Sequence, residues 1–102
     1  MKTHEVVVHP KANDRMFDHF RFLAQVSAPG AERLLDELTK DMQGLECMPE
    51  RYPWFERDYV PQKKYRYMLS AKRYRIVYQV IENTVFIEDI QDCRQDDDKN
   101  LI

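Results

Sequence analysis

Apolar and polar residues alternate along the chain in three distinct rhythms. Glu5 to His9, EVVVH, is a short β-branched run that predicts a strand. Pro10 follows it, at a place where proline suits the first residue of a helix. From Ala12 the apolar positions Met16, Phe17, Phe20, Leu23 and Ala24 recur at helical spacing, with Asp14, Arg15, Asp18 and Arg21 largely opposite. Ser27-Ala28-Pro29-Gly30 ends this helix and starts another, because serine caps and proline tolerates the first turn. Ala31, Leu34, Leu35, Leu38, Met42 and Leu45 form the stripe of the second helix. The short connection makes the two an antiparallel hairpin, and Pro49 stops it.

Glu50 to Gln62, ERYPWFERDYVPQ, holds two prolines and clustered aromatics and reads as a loop, with Trp54 and Phe55 packed over the core edge. Beyond it the rhythm changes to a period of two. Lys64–Ser70, Tyr74–Ile81 and Thr84–Gln91 predict strands, with hairpin turns at Ala71-Lys72 and Glu82-Asn83. The fold class is therefore α+β: an N-terminal strand, a two-helix hairpin, then a three-stranded antiparallel meander. The helices are expected on one sheet face, with the other free.

Composition narrows the class. A chain of 102 residues is expected to form one domain over residues 1–102 with a modest core. No apolar run approaches the roughly 20 residues of a membrane-spanning helix, so no membrane association is expected. The N-terminus has too short an apolar stretch for a signal peptide. The two cysteines, Cys47 and Cys93, are isolated, which favours a reducing, cytoplasmic setting. Neither has histidines at zinc-like spacing, and the two glycines form no phosphate-cradling loop, so neither metal nor cofactor is expected.

Charge is segregated. Lys63 to Gln79, KKYRYMLSAKRYRIVYQ, carries Lys63, Lys64, Arg66, Lys72, Arg73 and Arg75 without an acidic residue, although the whole chain sums to −2. From about residue 96 the sequence is an acidic tail. Lysine and arginine also serve on plain solvated strand faces, but their concentration here favours a site. Arg66 and Arg75 fall on neighbouring strands of one hairpin. If both point to the helix-free face, an anion relieves their mutual repulsion. With Arg94 folding back from beyond the last strand, and Lys64 beside them, they would form a phosphate clamp. Lys63, Lys64, Lys72 and Arg73 would then hold the RNA backbone. The matching chemistry is metal-independent: the 2′-OH of RNA attacks the adjacent phosphorus, and the arginines stabilise the charge that develops.

The succession VVVHPKAN, APGAERLLDEL, MPERYP, YRYMLSAKRYRIVYQVIENTVFI and DCRQD resembles the RelE/ParE superfamily of bacterial toxins, from about Glu5 to Asp96. These are the toxin halves of type II toxin–antitoxin systems, also known as plasmid stabilisation proteins. The resemblance implies a two-helix hairpin packed on an antiparallel sheet and a cognate antitoxin as partner. For RelE-type members it implies an mRNA interferase, an endoribonuclease that cuts mRNA on the ribosome; for ParE-type members it implies a poison of DNA gyrase. By resemblance, Arg75 matches the strand arginine that contacts the scissile phosphate and Arg66 the first of two catalytic lysines, while Arg94 matches the arginine of an HGRRD-like ending. Met68 stands at the second lysine and can do no acid–base work, arginine is a poor proton acceptor at Arg66, and no tyrosine follows Arg94. The first expectation is ribosome-dependent mRNA cleavage by Arg75, Arg66 and Arg94. Its alternatives are a ParE-type gyrase poison and a degenerate relative that only binds its antitoxin.

Overall fold

The computed structural model describes residues 3–94, and the acidic tail lies outside them. In chain order the elements are β1 (Glu5–Val8), α1 (Pro10–Ala24), α2 (Ala28–Gly44), a 3-10 turn (Pro49–Arg51), β2 (Arg66–Ser70), β3 (Tyr74–Ile81) and β4 (Thr84–Asp92). The expected order of elements is present. The sheet runs β1-β4-β3-β2. The meander is antiparallel, and β1 lies parallel to β4, with Val6 opposite Val85 and Val8 opposite Ile87. Parallel neighbours need a long crossover, and the helical hairpin supplies it by carrying the chain from one sheet edge to the other.

Both helices begin at side-chain caps. The His9 ring accepts from Lys11 N at 3.0 Å, and Ser27 Oγ accepts from Gly30 N at 3.1 Å. A Cβ on Gly30 would lie 3.0 Å from that hydroxyl, so glycine leaves the cap room. The core joins Ala12, Met16, Leu34, Leu38, Met42 and Leu45 of the helical layer to Tyr74, Ile76, Tyr78, Val85, Ile87 and Ile90 of the sheet. One member of the expected α1 stripe departs from it. Phe17 is 36% exposed, and His19 is buried instead. The inward line is Ala12, Met16, His19, Leu23, spaced by three and four residues, and Phe17 falls beside it.

The second sheet face is not free where β2 and β3 meet. The long loop folds over it, and Phe55, Val60 and Tyr65 close on Val77 to form a smaller apolar cluster. Phe55 N donates to Tyr65 O at 2.6 Å and Tyr67 N to Pro53 O at 3.0 Å, so the loop runs antiparallel along the start of β2. This pairing explains why β2 begins at Arg66 rather than Lys64: the two residues before it belong to the loop's closure. Phe55 is buried, as its packing over the core edge required.

On the helical side the loop's entrance is tied down by Tyr78. Its hydroxyl donates to Pro49 O at 2.6 Å, and burial pushes the phenol well above its usual range. Tyr78→Phe keeps the ring's packing and leaves that carbonyl unpaired. It should lower unfolding free energy by about 1–2 kcal/mol, visible as a reduced urea midpoint with an unchanged m-value.

Candidate functional site

The geometry of the β2–β3 hairpin decides what its cations can do together. Its turn is three residues, Ala71 to Arg73, because Ser70 pairs with Tyr74 and Leu69 with Arg75. A two-residue turn at Ala71-Lys72 would pair Met68 with Arg75 and place Arg66 on the same face as Arg75. The third turn residue shifts the register by one, and a one-residue shift exchanges faces. Arg66 stands opposite Tyr78, on the helical side with Met68 and Ile76. Arg75 stands on the other side with Val77. The expected convergence of Arg66 and Arg75 on one free face is thus not what the fold provides.

Each of these arginines is also held locally. The Arg66 guanidinium lies over the Trp54 ring at 3.7 Å and donates to Tyr52 O at 2.6 Å. Arg75 donates through Nε and Nη2 to Gln91 Oε1, at 3.0 and 2.8 Å, and lies 5.3 Å from the Phe55 ring centre. Gln91 Nε2 in turn donates to Asp89 Oδ2 at 3.2 Å. Asp89 is fully buried, its Oδ1 accepts from Ile90 N at 2.9 Å, and Arg15 of α1 approaches that oxygen to 3.8 Å. Arg75 and Arg15 therefore flank one internal carboxylate, directly or through an amide.

Arg94 sits beyond β4 and does not reach Arg66. It chelates Asp92, with Nε to Oδ1 at 3.1 Å and Nη2 to Oδ2 at 2.9 Å, while its own N–H bonds Oδ1 at 2.9 Å. Burial raises the Asp92 carboxyl, but these hydrogen bonds outweigh it and hold the group below the usual carboxylate range. The lysines divide as well. Lys63 and Lys64 are exposed before β2, Lys64 lying 5.2 Å from the Tyr65 ring centre, whereas Lys72 and Arg73 are exposed in the turn at the far end. A five-residue strand, about 17 Å long, separates the two groups.

A model of the ParE toxin of type II toxin–antitoxin systems (parDE) matches residues 6–97. The chain belongs to the ParE toxin family. Membership implies a cognate antitoxin as partner. The chain is also similar to one in the structure of the chromosomal ParDE system from P. aeruginosa, at 12% identity and a TM-score of 0.73, over 90% of this chain and 98% of that one. That likeness supports the fold alone. No curated protein matches the chain.

Within this ParE fold the side chain that sequence reading missed is His19. Its Nε2–H donates to Ile90 O at 2.8 Å, and its ring packs against Tyr74 at 5.1 Å between centres. It lines a groove of about 570 Å³ with Arg15, Asp18, Phe22, Tyr74, Asp92 and Arg94. Its place three residues after Met16 is the signal that would have found it, had histidine been counted among the inward positions. Burial pushes the imidazole below its ordinary 6.5; the Ile90 carbonyl bond opposes this, Arg15 reinforces it, and Asp92 and Asp89 oppose it more weakly. With the folded value depressed, the unfolded chain takes up the proton first as pH falls. Stability should be level above pH 7 and decline as pH drops below about 6.5. The loss from Asp92 belongs to a lower window, beneath the carboxylate value of 3.8. Denaturant unfolding between pH 8 and 5 checks this, and His19→Gln should flatten the slope between 6.5 and 5.

Proposed function

We propose that this ParE-family chain is a gyrase-type poison that acts by binding its target, rather than an RNA-cutting enzyme. The observation that carries this reading is the parity of the hairpin: Arg66 and Arg75 lie on opposite sheet faces, each already satisfied by groups of the protein. In-line attack within RNA needs charge concentrated where the pentacovalent phosphorus forms, and a group that takes or gives a proton. Met68 packs against the helical core, so the position of the second family lysine faces inward and carries no proton-transfer group. The guanidinium groups of Arg66 and Arg75 offer donors and no acceptor for a proton. Gln91, the direct partner of Arg75, does not titrate.

A binding toxin asks less of these residues. The half-buried pair of Trp54 and Arg66 suits a protein contact, where arginine and aromatic anchors dominate. The cytoplasm, which holds gyrase, is the expected site of action, with a cognate antitoxin neutralising the toxin there.

Two assays run side by side test the reading. Purified toxin should inhibit gyrase supercoiling with accumulation of cleaved DNA–gyrase complexes, and should leave mRNA intact in a translation extract. Mapped mRNA cuts at the ribosomal A site, with supercoiling unaffected, would restore the nuclease reading.

A further inference from the structure

A different set of cations is not spoken for. Arg33 on α2, and Lys72 and Arg73 in the β2–β3 turn, are exposed, and their side chains make no hydrogen bond or ion pair with another described residue. With Arg94 they line one groove of about 390 Å³, floored in part by Leu34 and Ala71 and reaching Tyr74. Glu37 brings the one negative charge to that lining among the described residues. Three chain segments therefore direct positive charge into one space on a chain whose total is −2. Glu37 offsets only part of the charge of Arg33, Lys72 and Arg73, which repel one another, and a bound anion relieves the repulsion.

The turn is built for display at some cost. Ala71 and Lys72 are consecutive non-glycine residues in the left-handed region, with φ of 50° and 70°. That conformation is disfavoured for both and persists only where surrounding bonds enforce it. Arg73 N donates to Ala71 O at 2.8 Å, and Cys93 N donates to Arg73 O at 2.8 Å. The second bond fastens the turn to the end of β4, so Arg73 and Arg94 are set side by side by backbone rather than by chance rotamers.

At Tyr74 and Arg94 this groove meets the one beside α1, which Phe22 and Arg15 also line. Phe22 is 69% exposed, an unusual place for a bare aromatic ring. The carboxylates there are already engaged, Asp18 with Arg21 and Asp92 with Arg94. A groove bearing arginine forks along its length and an open aromatic at its end matches a strand of nucleotides: phosphates meet guanidinium groups, sugars rest on Leu34 and Ala71, and a base stacks on the ring.

We propose that the joined groove binds a single-stranded polynucleotide, its phosphodiester backbone along Arg33, Lys72 and Arg73 and a base against Phe22. The proposal goes beyond the gyrase reading, because the binding belongs to the isolated chain and needs no gyrase. An acidic peptide would satisfy the cations but has no use for Phe22.

Fluorescence anisotropy of the full chain with labelled oligothymidylate and oligouridylate of about ten nucleotides, within the usual range of single-strand site sizes, tests it. The wild type should bind, with a log–log salt slope of magnitude about 2, as roughly three neutralised phosphates require. Arg33→Gln/Lys72→Gln/Arg73→Gln should weaken binding at least about tenfold at low salt and reduce the slope by about 2. Phe22→Ala should weaken binding with the slope unchanged. Lys63→Gln/Lys64→Gln, at the other end of β2, should leave both unchanged. All substituted positions are exposed, and circular dichroism melting verifies that each variant folds. A preference for one oligonucleotide identifies DNA or RNA as the source of the backbone, and either supports the site. No binding at low salt, an equal loss in the Lys63/Lys64 variant, or tighter binding of a polyglutamate peptide than of either oligonucleotide overturns it. Because no gyrase is present, these results are independent of the supercoiling assay.

Discussion

Burial of β3 on both of its faces governs the rest of this structure. Ile76 and Tyr78 press into the helical layer, while Val77 between them closes against Phe55, Val60 and Tyr65 of the loop. A strand held from both sides has no freedom to slip, because a one-residue shift would drive Arg75 into the helical core and Ile76 under the loop. Its partner β2 inherits that register. The fate of every cation on the hairpin follows: even-numbered positions of β2 face the helices with Tyr78, and Arg75 faces the loop.

The charges are then managed one at a time. Arg66 stacks on an indole and meets a carbonyl, Arg75 reaches a buried carboxylate through Gln91, and Arg94 takes Asp92. Half-buried guanidinium groups demand such partners, since an unpaired one loses its hydration without return. Arg66 thus ties the loop at Tyr52, Arg75 ties β3 to β4 at Gln91, and Arg94 closes on Asp92 at the end of the sheet. Cations whose partners lie in solvent sit elsewhere, around the turn and α2, and it is there that an external anion has most to offer.

Much of this architecture was legible in the chain. The helices follow from periodicity, from Pro10 at a first helical position and from the cap at Ser27, and the strands from their alternation and β-branched content. The parity of Arg66 and Arg75 was not, because it depends on whether the turn has two residues or three. Neither Ala71 nor Lys72 advertises the left-handed backbone that the longer turn requires, a role that sequence reading assigns to glycine or asparagine. The coverage of the second sheet face was hidden for a related reason. Phe55 and Val60 lie in a proline-punctuated stretch without periodicity, and only the pairing of Phe55 with Tyr65 brings them over Val77. Arg33, on the polar side of α2, had no sequence neighbour to link it to Lys72 and Arg73.

Arg66 and Arg75, on opposite sheet faces, are placed to act on no common ligand. A double-mutant cycle with Arg66→Ala and Arg75→Ala, read as the toxin concentration that halves gyrase supercoiling, measures this directly. Sites that share no partner give additive losses, so the coupling energy is predicted to stay within about 0.5 kcal/mol of zero. A coupling above about 1 kcal/mol, with both single variants folded, would mean that the two guanidinium groups grip one target group together, and would contradict the account.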